Sequence, residues 1–519
     1  MSGMYAIVKL REMGLTHRVF ERGKDVGGTW YWNRYPGARC DVQSTDYSYS
    51  FSPELEQEWS WSEKYATQTE ILRYLDHVAD RFDLRRSITF NCEVTAARWN
   101  EDDKRWTIET NQGETLDARF LMLATGALSK PNAADLPGTG RFRGPVYHTG
   151  SWPHESIDFT GQRVAVVGTG SSGIQSIPMI AAQAKSLFVF QRTPVYAMPA
   201  FNRPLDAEEV ASRKRQAPER RRLNRKASFG VHAPDPLPSA LDAPVEQRNA
   251  LYEQRWQDGE LSALVGTYAD LLVDPAANET LAEFVRDKIR DIVEDPATAE
   301  LLCPTSFPIG TKRPCLATGY YETFNQPHVR LIDLLTTPIE EATPTGLRIA
   351  GGEEIELEAI VLATGFDAVS GSFLAVPIVG RDDRTLRDKW QDGPESFLGL
   401  MVEGFPNLFT ITGPLSPSVF SNMVVSIEQH VDLAMALIAE AHGRGASVVE
   451  PQREAERSWV ERVAAIGSAT LFPRANSWYM GANIPGKPRV LLAYIGGVGA
   501  YREECDSFVA RDFEGLTFA

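Results

Sequence analysis

The 519-residue chain has only five cysteines, Cys40, Cys92, Cys303, Cys315 and Cys505, far apart and without a CxxC pair. An odd, scattered set excludes a disulfide framework and fits reduced thiols, so a cytoplasmic address is expected. Also missing are an 18-residue apolar run and a basic-then-apolar leader at Met1, so neither a membrane span nor a signal peptide is expected. Positive charge is in deficit: 53 Lys and Arg against 69 Asp and Glu give a formal net charge of −16. Such a surface repels phosphate-rich partners, which excludes a general nucleic-acid or membrane-surface binder. An anionic ligand must therefore find a local basic pocket. No metal site is visible in the spacing of potential ligands.

What is present is ordinary globular material, with 43% hydrophobic and 24% charged residues, in a length that suits two or three domains. The stretch YAIVKLREMGLTHRVFER predicts a helix followed by a short strand at Arg18–Glu21, the second half of a βαβ unit. From RSITFNCEV through KRWTIETNQGETLDARFLMLATG, alternating residues with a turn at Asn111–Gly113 predict hairpin strands, then a buried strand at Phe120–Ala124. Arg163–Gly168 reads as a parallel-type strand, Ser172–Ala182 as a helix and Leu187–Gln191 as the next strand, which completes a βαβ. Leu205 to Asp295 is charged and helical in spacing, with proline breaks near Pro218 and in APDPLPSALDAP. Its basic run Arg213–Lys226 reads as a solvated helix face. A strand is expected again at Glu356–Ala363.

Gly168-Thr169-Gly170-Ser171-Ser172-Gly173 follows a strand and opens a helix, the setting in which GxGxxG binds a pyrophosphate. Its backbone and Gln175 are candidate cofactor contacts. The next strand ends not in an acid but in Gln191-Arg192-Thr193. A guanidinium and a hydroxyl suit a 2′-phosphate, so the nucleotide expected is NADP(H). Near the start, Glu21 closes a strand eighteen residues after Gly3 and is placed to hold a ribose hydroxyl, but the strand and first two glycines of that motif are absent. GGTWYWNRYPGARCD, Gly27 to Asp41, follows: an aromatic loop with Gly28, Thr29 and Trp30 able to wall a flat cofactor, and Asp41 beside it.

FRGPVYHTGSWP fits FxGxxxHxxxWP through Phe142, Gly144, His148, Trp152 and Pro153, and the Gly27–Asp41 loop fits a second pattern through Gly27, Trp30, Tyr35, Pro36, Gly37 and Asp41. The chain thereby resembles the type I Baeyer–Villiger monooxygenases over essentially its whole length. Further matching stretches are GTKR, ATGFD, SNMVVSIEQH and SWYMGANIPGKPR. The resemblance implies an α/β protein with two Rossmann-like domains, for FAD and NADP, and a helical insertion. It divides the chain as 1–127 and 366–519 for FAD, 128–193 and 311–365 for NADP, and 194–310 for the insertion.

It also implies the chemistry: NADPH reduces the flavin, O2 adds at C4a, and the anionic peroxide attacks a ketone to give an ester or lactone, with sulfide oxidation as a side activity. Arg313 matches the catalytic arginine and Asp41 the acid that positions it. Lys312 joins Arg192 and Thr193 at the 2′-phosphate, and Trp478 matches a tryptophan near nicotinamide and substrate. Val42, Ser418, Phe420 and Met423 are expected in the substrate pocket, the last three on a loop longer than in the cyclohexanone-type branch. The fingerprint segment crosses between the two cofactor domains and couples their movement.

The first strand is where the chain departs from the family. A missing strand of five or six buried apolar residues, at about 1.5 kcal/mol each, rivals the stability of a domain, so the natural protein is expected to be longer, with Met1 an internal or misassigned start. Two other readings stay open: a flavin-containing or N-hydroxylating monooxygenase, and an FAD-deficient chain that binds NADP(H) alone. O2 and a ketone are the expected partners, and a monomer or weak homo-oligomer the expected assembly.

Overall fold

The computed structural model describes residues 1–132 and 136–519. Helix α1 (Ser2–Glu12) leads into strand β1 (Val19–Phe20) and, after the Gly27–Gly28 turn, helix α2 (Thr29–Trp32). Strand β2 (Ile88–Thr89) pairs with β1 in parallel, Val19 opposite Ile88. This corrects the expected hairpin, which starts only at β3 (Val94–Asn100) and continues through β4 (Arg105–Thr110) and β5 (Thr115–Ala118). Asn91, at φ 55°, turns the chain out of β2, and the Asn91 and Cys92 amides donate to Gly23 and Glu21 carbonyls. Alternating residues alone do not reveal such a left-handed break.

Strand β6 (Leu121–Leu123) pairs in parallel with a late strand described below. Next come β7 (Val146–His148), β8 (Arg163–Val167), α3 (Ser171–Ala181) and β9 (Ser186–Gln191), the expected βαβ. Val164, Ala165 and Val166 have no exposure, as a strand buried on both faces requires. β10 (Ala197–Pro199) opens the insertion, which carries α4 (Ala207–Asn224) and α5 (Leu261–Val265), and β11 (Cys315–Ala317) closes it by pairing in parallel with β10.

Beyond β12 (Val329–Asp333), strands β13 (Ile339–Thr343), β14 (Gly346–Ile349) and β15 (Glu354–Glu356) form an antiparallel meander, and β16 (Ala359–Leu362) inserts between β8 and β7. The single strand expected at Glu356–Ala363 is thus two, in different sheets. Arg163 at the start of β8 pairs with both Glu356 and Glu358 and pins the bend between them. The parallel sheet runs β12-β9-β8-β16-β7. Last come β17 (Ile378–Val379) beside β3, β18 (Leu408–Thr410) beside β6, and the long buried helix α6 (Met423–Gly443).

Ile7, Tyr74 and Leu75 share one core with Leu400, Phe409 and Val431, so the two ends of the chain build one unit. Among the described residues no strand joins the β1–β2 pair to the β6–β18 pair. No helix among those residues is long and apolar enough to cross a membrane.

The insertion holds two corrections. Pro218 lies inside α4 rather than at a break. A proline leaves the carbonyl four residues earlier without its helical partner, and here the Lys214 carbonyl accepts from Gln57 Nε2 at 3.3 Å instead. The basic run is not simply a solvated face either: Arg221 is 7% exposed, bonded to Glu56 and Ser48, and Arg220 reaches the buried Asp46. Buried counter-charges turn that side of the helix inward.

Candidate functional site

The glycines of the loop between β8 and α3 are there because nothing larger fits. A Cβ on Gly168, at φ 108°, would lie 2.5 Å from the Ala363 carbonyl oxygen, and one on Gly173 would lie 2.2 Å from that of Gly168. Gly170 faces open space, where a phosphate can approach the backbone. Thr169 Oγ1 donates to the Thr193 carbonyl at 3.2 Å, which joins the loop to the end of β9. Ser171 Oγ lies 3.2 Å from Cys315 Sγ and Ser172 Oγ 3.0 Å from Thr149 Oγ1. The Gln175 side chain takes a hydrogen bond from the Tyr35 hydroxyl at 2.8 Å and donates to the Arg39 carbonyl at 3.0 Å. Gly37 allows that contact, since a Cβ there would meet the Gln175 carbonyl at 2.2 Å.

Lys312 feels the charge of Arg192, which follows β9 and the loop's Thr193 contact. Burial, then the Arg192 charge, pushes the Lys312 ammonium below its usual range, and Lys312 Nζ sits 4.6 Å from the centre of the Phe307 ring. Neither cation has a carboxylate within 4 Å among the described residues. Two interacting cations without a carboxylate partner suit an anion such as a 2′-phosphate.

Arg313 and Asp41 form a two-point pair, Nε to Oδ2 at 2.8 Å and Nη2 to Oδ1 at 2.7 Å. Arg313 Nη1 donates to the Val419 carbonyl at 2.9 Å, and Tyr479 lies alongside. Burial opposes both charges. Each partner outweighs that penalty for the other, so Asp41 is held below the usual carboxylate range and Arg313 well above its own. The pair lines a cavity of about 720 Å³, mouth included, whose other walls include Val42, Phe229, Leu261, Val265, Leu272 and Phe420. Of the expected pocket residues, Val42 and Phe420 are on the wall. Ser418 and Met423 are not: Ser418 Oγ donates to the Thr412 carbonyl, Met423 opens α6, and Ser421 and Asn422 line the cavity instead. The Ser418–Phe420 helical turn rotates alternate side chains away from it.

Two residues that sequence reasoning did not single out, Gln43 on the wall and Asp46 behind it, support the site. Gln43 accepts from Arg213 at 2.8 Å and donates to Glu260. Asp46, with no side-chain exposure, binds Arg220 and Asn224 of α4. Its carbonyl accepts from Asn422 Nδ2 at 2.8 Å, so the insertion, the Asp41 loop and the loop holding Arg313 meet at one point. The only signal in the sequence was position within two to five residues of Asp41.

On the flavin side, Gly3 of α1 lies against Ala124 after β6, Glu21 accepts from Gly23 N–H, and Gly28, at φ 54° and facing open space, precedes Thr29 and Trp30 of α2. Trp30 Nε1 donates to the Tyr47 hydroxyl at 3.2 Å. An acid at the end of β1, an open glycine turn and the half-buried Arg313 charge fit a hydroxyl-rich anionic dinucleotide. Trp478 is off the cavity wall and packs on Tyr479, ring centres 3.9 Å apart.

The fingerprint segment is a joint. His148 Nδ1 accepts from Gly150 N–H at 2.9 Å, which leaves Nε2 to donate to Thr364 Oγ1 at 3.2 Å, and burial keeps the ring neutral by lowering its pKa. Trp152, buried against Tyr147 and Phe159, donates its amide to the Trp32 carbonyl. Phe142 is buried beneath the meander, with Gly144 and the half-buried Pro153 at the segment's turns. One short stretch thus touches the aromatic loop, the ATG turn and, through Thr149, the nucleotide helix.

Comparison with known proteins agrees with this geometry. A profile of the pyridine nucleotide-disulphide oxidoreductase family matches residues 2–199. A Baeyer-Villiger monooxygenase of Pseudooceanicola batsensis is 42% identical over 99% of this chain and 94% of its own length, and a phenazine N-monooxygenase of Lysobacter antibioticus is 40% identical over 99% and 95%. The solved structure of an oxidized steroid monooxygenase bound to NADP superposes with a TM-score of 0.95 at 51% identity, covering 100% of this chain and 97% of that one. The chain belongs to the Baeyer–Villiger monooxygenase family of flavin- and pyridine-nucleotide-dependent oxidoreductases.

Proposed function

We propose that the protein converts ketones to esters or lactones with FAD as its resident cofactor, the balance being ketone, O2, NADPH and a proton in, and ester, NADP⁺ and water out. The observation that carries the reading is the half-buried Arg313–Asp41 pair on the wall of a largely apolar cavity. Bound FAD and NADPH supply hydride transfer and the activation of O2. Gly168–Gly173 cradle the NADPH pyrophosphate, and Arg192, Thr193 and Lys312 hold its 2′-phosphate. Gly3, Glu21 and Gly28–Trp30 hold the FAD. Arg313, which cannot give up its proton at working pH, stabilises negative charge as it develops on the oxygen atoms of the reacting ketone, and Asp41 fixes the guanidinium plane. Val42, Phe229 and Phe420 exclude water.

Purified enzyme, reconstituted with FAD, consumes NADPH in step with ester formation on a ketone panel; consumption of NADPH with no ester from any ketone overturns the reading. The phenazine relative favours a second one, N-oxidation. An amine or N-heteroarene offered beside a ketone separates the two, since a fixed guanidinium favours the anionic oxidant that ketones need over the protonated oxidant that soft nitrogen needs. Coenzyme choice is a further expected outcome. Arg192→Ala and Lys312→Ala each lower the NADPH over NADH ratio of kcat/KM by about tenfold or more, as loss of one charged contact to a phosphate requires. Steady-state kinetics with both coenzymes checks this, and an unchanged ratio removes those residues from the 2′-phosphate site. Five free, buried thiols support a cytoplasmic address.

A further inference from the structure

The cavity beside Arg313 carries a second polar group that the oxidation does not use. Glu260, immediately before α5, lines the same wall as Val42, Phe229, Leu261 and Phe420. One carboxylate oxygen takes a hydrogen bond from Gln43 Nε2. The Gln43 amide has a fixed sense, because Arg213 Nη1 donates to its oxygen at 2.8 Å. The other Glu260 oxygen has no hydrogen-bond partner, and the carboxylate no cation within 4 Å, among the described residues. Burial pushes this carboxyl above its usual range, with Lys64 and Arg220 acting against that shift and Asp46 and Asp258 adding to it. A half-buried acceptor on a largely apolar wall is costly until something donates to it.

Charge decides what kind of donor fits. Arg313 is paired with Asp41, Arg220 with Asp46 and Arg213 with Glu209. Lys64 Nζ donates to the Asp258 carbonyl at 2.7 Å and leaves its positive charge to balance Glu260. A ligand ammonium would add a positive charge with nothing to compensate it. A hydroxyl donates without adding charge.

We propose that Glu260 is a specificity-determining acceptor for a substrate hydroxyl, so that the favoured substrates are ketones with an apolar body and an O–H group remote from the carbonyl. This rests on the ketone-oxidising reading above and names the substrate class of the same cavity. The carbonyl lies toward Arg313, the body against Phe229, Leu261, Val265 and Phe420, and the hydroxyl toward Glu260. A site built to bond a hydroxyl discriminates against the analogue lacking it more strongly than an apolar pocket discriminates by size.

The test uses the holoenzyme with a saturated bicyclic ketone and a set of its monohydroxylated isomers, with ester quantified directly. At least one isomer is expected to exceed the parent about tenfold or more in kcat/KM, the effect of a hydrogen bond to a carboxylate. In Glu260→Met that ratio falls to about one, and in Glu260→Gln, which keeps a neutral acceptor, it takes an intermediate value. Isomers all at or below the parent, or a preference that survives in Glu260→Met, overturn the proposal while conversion of the parent ketone leaves the ketone-oxidising reading standing. If neither parent nor isomers yield ester, both fall together. Should the methionine variant fail to fold, the wild-type ratio and its fall in Glu260→Gln decide the matter alone.

Discussion

Arg313→Ala loses ester formation by a factor of about 10² to 10³ or more in kcat, the usual consequence of removing a preorganised charge from a reacting centre. The difficulty with such a variant is that Asp41 is left as a half-buried anion without its partner, which by itself costs up to about 3 kcal/mol. A dead enzyme could then be merely a poorly folded one. Asp41 is held in the charged form only because Arg313 outweighs the burial penalty, so the double variant Arg313→Ala/Asp41→Asn removes both charges together. It is expected to regain most of the stability lost in the single variant and none of the activity. Denaturant titration and ester yield on the same samples check this. Recovery of ester formation in the double variant sinks the assignment of Arg313, because the guanidinium would then act only by neutralising Asp41. Arg313→Lys separates position from charge: an ammonium cannot make the two-point contact with Asp41 and the third contact to the Val419 carbonyl in one orientation, so it is expected to stay well below wild type.

The parts of this architecture that were legible are those whose physics is local. Val164–Val167, the glycines behind them and the helix from Ser171 form one contiguous signal, because strand burial, the tight turn and the helix start are all settled within about twenty residues. Arg192 is proposed for the 2′-phosphate on the same local grounds, at a fixed offset from the loop. The Arg313–Asp41 pair spans 272 positions and was reached through resemblance, not spacing. Asp46 and Glu260 were missed because a single acid carries no periodicity. What makes each one matter is a partner far along the chain, Arg220 at 174 positions from Asp46 and Gln43 at 217 from Glu260. Helix α4 misled for a related reason. Its composition is that of a solvated helix, and only the folded position of Asp46 and Glu56 shows which arginines turn inward. The Ile88–Thr89 segment and the Glu356–Ala363 stretch show the matching limit for strands: alternation predicts extended backbone, while the partner strand depends on where a distant turn or ion pair bends the chain.

Asp46→Ala is expected to destabilise the protein by about 3–5 kcal/mol, since it leaves Arg220 without its carboxylate in a partly buried setting and Asn224 without an acceptor. Asp46 is fully buried, and burial works against its charge; the hydrogen bonds and charge of Arg220, with Asn224 and Arg221, more than compensate and hold it below the usual carboxylate range. The folded-state value therefore lies below the unfolded one near 3.9. The stabilisation is complete above about pH 4 and disappears as pH falls through the depressed folded value. Asp46→Asn keeps the shape and some of the hydrogen bonds, removes the titration and is expected to cost less, about 1.5–3 kcal/mol at neutral pH. Its deficit relative to wild type shrinks as the wild type protonates, so the two acid-unfolding curves converge. Stability against denaturant from pH 7 to pH 3 measures this directly, and parallel curves that never approach one another contradict a charged Asp46. The same residue reaches the chemistry, because the Asp46 carbonyl holds Asn422, three residues from the Val419 carbonyl that fixes Arg313. Loss of the Asp46 clamp is thus expected to lower kcat for ketones along with stability, and an Asp46→Ala enzyme that unfolds early yet turns over at the wild-type rate would confine the clamp to folding.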